Sequence, residues 1–163
     1  MSYAFVAAIW PTLSRLGSAT RPSIAEAYEG ACKVLASLLL PLGTGFVLFA
    51  EPVTELVYGD AYAHAVPAVR LLGGAVAVYG LSYLSSYVLV SQDRKAVIAW
   101  VTAAVAVENV VLNLLLIPPY SLEGAAAATS ISEASLALLL AGFCVRDTGR
   151  ISLSRILLGP AIG

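Results

Sequence analysis

The chain has 163 residues, a formal net charge of −1, 60% hydrophobic residues and only 12% charged ones, with a mean hydropathy of +0.88. A soluble domain carries about a quarter of its residues charged. Half that share leaves a surface suited to lipid rather than water. The balance also excludes the basic stripe that a phosphate backbone requires, so nucleic acid is not an expected partner.

Residues 2–10 are apolar but too few to cross a bilayer. Their basic residues follow rather than precede them, unlike a signal peptide. They are expected to be the last turns of a preceding transmembrane helix that ends at Pro11. Residues 11–29 mix Arg15, Arg21, Glu26 and Glu29 with small side chains, which suits an amphipathic connector on the cytoplasmic surface. Pro22 is a natural start or break for it. Residues 1–30 thus form one segment.

Four stretches then approach the roughly 20 apolar residues that a spanning helix needs: 31–50, 66–90, 96–117 and 124–145. The PLGTG stretch at 41–45 falls in the middle of the first and is expected to kink it. Between the spans lie short connections at 51–65, 91–95 and 118–123. Pro118 and Pro119 are expected to end the third span firmly. Residues 146–163 read as a basic cytoplasmic turn and the start of a further, truncated helix.

Charge sets the orientation. Arg15, Arg21 and Lys33 flank the start of the first span, Arg94 and Lys95 join the second to the third, and Arg146, Arg150 and Arg155 follow the fourth. The two alternate connections carry Glu51, Glu55, Asp60, His64 and Glu123, with no Lys or Arg. Every second loop is therefore basic, as cytoplasmic loops are. Cys32 and Cys144 fall near the cytoplasmic face and read as small apolar packing residues. The expected fold is an all-α, multi-pass transmembrane bundle in the cytoplasmic membrane, with the lipid bilayer as its solvent.

The landmarks AAIWPTLSRL, PLGTG, EPVTELVYGDAY, NVVLNLLLIPPY and GAAAATSISE follow one another through nearly the whole chain. In that order they resemble the C-terminal lobe of Wzx-type polysaccharide-biosynthesis flippases, of the multidrug/oligosaccharidyl-lipid/polysaccharide exporter superfamily. The resemblance implies 12 to 14 helices in two lobes about a central cavity, of which this chain supplies part of one lobe. It also implies export of a lipid-linked oligosaccharide, such as an O-antigen precursor of lipopolysaccharide, by alternating access. The missing N-terminal lobe would then be a necessary partner.

Ionisable residues inside a span cost about 2.5–3.5 kcal/mol and call for a reason. Glu108 and Glu133 stand 12 and 13 residues either side of the 119–121 turn, which puts them at similar depth in an antiparallel hairpin. They read either as a proton- or ion-coupling pair or as hydrogen-bonded packing residues. Thr102, Asn109 and Asn113 share one helix face, as do Thr129, Ser130 and Glu133, with interhelical hydrogen bonding the ordinary role. Asn109 and Asn113 are also candidates to line a cavity. Tyr79, Tyr83 and Tyr87, at i, i+4 and i+8 with Ser82 and Ser86 beside them, form either a sugar- or isoprenoid-facing stripe or a packed seam. Arg70 is either a counter-ion for a substrate phosphate or a base snorkelling outward.

Nothing in the sequence points to an enzyme or a cofactor. A lone His64 excludes multi-histidine zinc motifs, and Gly43-Thr44-Gly45 lacks the third glycine of a phosphate loop. Two rivals stay open. One is a sister within the superfamily, a peptidoglycan-precursor flippase or a cation-coupled multidrug exporter. The other is a truncated, non-transporting membrane remnant.

Overall fold

A computed structural model describes residues 21–148. Of the expected end segments, 1–30 and 146–163, residues 1–20 and 149–163 lie outside the described residues. Within them, α1 runs over Arg21–Leu48, ten residues ahead of the expected first span. Residues 21–30, expected as surface connector, are thus continuous with that span. Alanine and glutamate there favour helix, and Pro22 sits in the first turn, where a missing N–H costs nothing. Tyr28, about two turns further on, is buried at 2% exposure. Helical assignment also continues through Pro41, and the backbone bends only at Phe49.

The connection expected as a loop at 51–65 is mostly helical. Helix α2 covers Ala50–Tyr58, and a 3-10 turn covers Asp60–Ala65. Gly59 lies between them at φ 79°, a backbone that side chains with a Cβ resist. Helix α3 follows at Val66–Ser91, with Pro67 in its first turn.

Helix α3 ends in a tight reversal. Arg94 N–H reaches the Leu89 carbonyl at 2.8 Å and Asp93 N–H the Val90 carbonyl at 3.0 Å. This is the paired 6→1 and 5→2 pattern of a Schellman cap, with Asp93 at φ 58° in the usual glycine place. The Arg94 carbonyl then starts the next helix by accepting from Val97 N–H at 3.1 Å.

Helical residues continue over Lys95–Thr148. At 1.5 Å per residue, 54 residues would reach about 80 Å, far beyond a roughly 30 Å hydrocarbon core. The run is broken at Ser121, φ 49° and ψ −118°, into arms α4 (95–120) and α5 (122–148). The break corrects the expectation that Pro118 ends the third span: helix persists through both prolines to residue 120. Their fixed φ is helical, and two lost N–H bonds in a last turn are tolerable. At Gly124 the arms approach so closely that a Cβ would collide with the Leu116 carbonyl oxygen.

Three helical runs, Ala27–Leu48, Asp60–Ser91 and Lys95–Asp147, are long and apolar enough to cross a membrane, and the last is the hairpin. The described residues are helical throughout apart from short turns, which makes this a helical membrane bundle. Helix α3 is its centre, packing on α1 and on the hairpin, while α1 scarcely meets the hairpin. Glycines set the α1–α3 approach. A Cβ at Gly80 would collide with Leu39, and one at Gly73 would lie 2.9 Å from Phe46 Cβ, the small-residue contact usual between membrane helices. Deeper in, Ser85 Oγ donates to the Leu81 carbonyl at 2.7 Å, so Tyr28 O–H donates to Ser85 across 2.8 Å. The core continues through Cys32, Leu84, Val88, Leu89, Val101, Leu140 and Cys144. Both thiols are buried there, and Cys144 Sγ also donates to the Ser85 carbonyl at 3.5 Å.

The two ends of the bundle differ in charge. At one, Arg94 pairs with Asp147 at 2.9 Å, tying the α3–α4 turn to the end of α5. At the other, Arg70 pairs with Glu51 at 3.3 Å, with both groups exposed, a contact worth at most about 1 kcal/mol. The positive-inside rule predicts that the base-rich end faces the cytoplasm. Single cysteines at Asp60 and Arg94, with Cys32 and Cys144 replaced, are expected to react with an impermeant thiol reagent from opposite sides of the membrane. Labelling of both from one side would overturn this topology.

Candidate functional site

The α4–α5 hairpin carries most of the polar groups placed at membrane depth. Asn113 Nδ2 donates to Asn109, at 2.8 Å to its carbonyl and 2.9 Å to Oδ1. Asn109 Nδ2 in turn donates across the seam to Ser132 Oγ at 3.1 Å. Three residues further along α5, Ser135 Oγ donates to Glu108 Oε1 at 2.8 Å. These contacts join positions 23 and 27 residues apart, which fixes α4 and α5 as antiparallel neighbours. Such bonds hold membrane helices together at about 0.6 kcal/mol each.

Beside the seam lies an open cleft of about 330 Å³, lined by Thr102, Val105, Ala106, Asn109, Thr129, Ser132, Glu133 and Leu136. Glu133 dominates its chemistry. Its carboxylate interacts with the Ser82 hydroxyl on α3, yet Oε2 is enclosed without a hydrogen-bond partner among the described residues. Burying an unpaired polar atom costs about 1–3 kcal/mol; Asp147 Oδ2 at the end of α5 shares that state, which leaves Glu133 as the unpaired carboxylate within the apolar length of the hairpin.

The two glutamates, expected at one depth, are parted around the helices. Glu133 lines the cleft, whereas Glu108 lies on the other side of the seam, satisfied by Ser135. Thr102, Asn109 and Thr129 also line the cleft; Asn113 reaches it only through Asn109. Ser130 leaves its expected face and donates to the Leu71 carbonyl on α3 at 3.1 Å. Ser132 and Ser135 were not singled out in the sequence. Their spacing from Asn109 and Glu108 about Ser121 was the available signal.

On α3 the tyrosines form a continuous stack. Tyr79 and Tyr83 lie 6.1 Å apart at 21°, and Tyr83 and Tyr87 meet edge to face at 4.9 Å. The Tyr83 and Tyr87 hydroxyls are 3.0 Å apart. Gly73 and Gly80 face α1, while the Leu71 and Ser85 carbonyls face α5. The tyrosines occupy the remaining flank, and Tyr79 is 51% exposed. Arg70 belongs to none of this: it sits at the opposite end on Glu51, separate from both the stack and the cleft. Among the described residues no cluster of histidine, cysteine and carboxylate groups could hold a metal ion.

Apolar helices long enough to span a membrane, packed around a polar cleft, define a helical membrane protein. The model of the family described as lipid II flippase MurJ matches residues 1–157, and the chain belongs to that family, a transporter family rather than an enzyme family. It is a member of the exporter superfamily expected from the sequence. The match falls on the peptidoglycan-precursor sister, given above as a rival, and not on the Wzx type. Polysaccharide and O-antigen export therefore has no support here. No curated protein and no solved structure matches the chain.

Proposed function

We propose that this chain forms part of one lobe of a flippase that carries a lipid-linked peptidoglycan precursor across the cytoplasmic membrane by alternating access. The family supports the substrate class. The observation that carries the mechanism is Glu133, whose Oε2 is enclosed beside the α4–α5 cleft with no hydrogen-bond partner among the described residues. A group held at such cost is kept for a change of state, and intramembrane carboxylates mark ion and substrate pathways. Glu133 is the coupling residue in this reading, and Glu108 is interhelical glue. The tyrosine flank of α3, exposed at Tyr79, faces the other lobe or the substrate path in this reading, where flat rings with hydroxyls suit sugar and isoprenoid surfaces alike. Rocking of one helix bundle against another around a midplane site supplies the motion.

The test uses cells depleted of their own lipid II flippase and supplied with the transporter that carries this lobe. Lipid II is expected to reach the outer leaflet, measured by its susceptibility to an externally added lipid II-cleaving enzyme. Lipid II retained inside, with a polyprenyl-linked O-antigen unit transported instead, would return the assignment to the Wzx type.

A further inference from the structure

Helix α2 has three distinct flanks. Ala50 and Thr54, one turn apart, are buried against the bundle, and Thr54 Oγ1 donates to the Ala50 carbonyl at 2.7 Å. Glu51 and Glu55, also one turn apart, form an exposed acidic flank held to α3 by the Glu51–Arg70 pair. On the other side, Val53, Leu56 and Val57 form an exposed apolar flank, with Leu56 at 88% and Val57 at 62% exposure. Tyr58 and Tyr62 follow with ring centroids 5.6 Å apart, and Tyr62 stacks on His64 at 6.2 Å.

The chain fixes the depth of this element at both ends. The apolar run of α1 ends at Leu48, two residues before α2 begins. Leu56 lies eight residues past Leu48, at most about 12 Å of helix from the membrane boundary. The 3-10 turn then leads straight into α3 at Val66. Helix α2 therefore cannot leave the outer interface. Its acidic and apolar flanks, on opposite sides of the buried one, match the water and hydrocarbon sides of that boundary. Tyrosines at its end match the aromatic belt.

We infer that α2 is an interfacial helix whose Val53, Leu56 and Val57 insert into the outer-leaflet lipid, with Glu51 and Glu55 in water. Buried apolar area holds it, since the flank carries no base to attract anionic headgroups. The helix acts as a foot at the outer end of the α1–α3 pair, setting their depth. This assignment needs only the membrane reading and is independent of the substrate.

The experiment places a single tryptophan at Leu56, Val57 or Glu55 in the full chain with Trp10→Phe and Trp100→Phe. The protein is reconstituted into phosphatidylcholine vesicles, with or without brominated acyl chains. Leu56→Trp and Val57→Trp are expected to show blue-shifted emission that brominated chains quench and aqueous iodide does not. Glu55→Trp is expected to show the reverse. Iodide quenching at Leu56 and Val57 would place the flank in water and overturn the inference. Protection of those two sites from both quenchers would mean that protein covers the flank, and would overturn it equally. Quenching of Glu55→Trp by brominated chains would remove the two-sidedness on which it rests. Val57→Trp decides the matter if Leu56→Trp does not give a monodisperse protein.

Discussion

Gly124→Val is expected to abolish most of the folded protein. The first turn of α5 passes so close to the end of α4 that any Cβ at 124 meets the Leu116 carbonyl oxygen, with the Leu116 carbonyl carbon and the Ile117 nitrogen just behind it. These are backbone atoms, which cannot rotate aside, so the turn itself must open. Overpacking costs about 1–3 kcal/mol where side chains can yield, and more is expected here. Opening the turn also misaligns Asn109 with Ser132 and Glu108 with Ser135. Ser121→Gly is the control in the opposite direction. Ser121 holds φ 49° and ψ −118°, a conformation that strains a residue with a Cβ by about 1–3 kcal/mol, so glycine is expected to be neutral or stabilising. The temperature at which each variant loses its monodisperse peak in detergent measures both. A Gly124→Val protein as stable as the parent would show that the hairpin does not close this tightly.

The second large effect separates the glutamates by function. Glu133→Gln keeps size and hydrogen-bonding capacity but removes the charge, and transport of lipid II is expected to fall severely while folded protein stays level. Glu133→Leu is expected to abolish transport and yet raise stability, because it removes an enclosed oxygen that has no partner among the described residues, a penalty of about 1–3 kcal/mol. Glu108 should behave otherwise. Gln at 108 still offers a carbonyl to Ser135 Oγ and should leave transport unchanged, while Leu forfeits one interhelical bond of about 0.6 kcal/mol. Equal loss of transport in both Gln variants would make the glutamates a functional pair after all. Normal transport in Glu133→Gln would remove Glu133 from the mechanism.

What the sequence could and could not convey has physical causes. Helix α3 covers Val66–Ser91 where apolar residues run from 66 to 90, because hydropathy tracks the lipid-facing length directly. Helix α1 starts earlier than its apolar run, since Arg21 and Glu26 lower hydropathy without opposing helix. Helix α2 is hidden by its brevity and by Pro52 and Gly59 around an amphipathic core. The glutamates show a different limit. Counting residues from a turn gives depth along a helix, but not the side of the seam on which each group emerges. Ser132 and Ser135 escaped notice because a hydroxyl barely alters hydropathy and becomes informative only once its partner is known. The family was legible at superfamily level, since apolar landmarks record where helices begin and turn and say little about the headgroup carried.

The hairpin also bears on how the protein is made. Residues 118–123 bring only one charged group, Glu123, to the outer end, so little solvation is lost in drawing that tip across a bilayer. Arg94, Lys95 and Arg146 at the other end resist the same passage. A turn this short keeps α4 and α5 side by side, so the two arms are expected to enter the bilayer together as one unit. Asn109–Ser132 and Glu108–Ser135 can close within it, so those polar groups enter the hydrocarbon already paired.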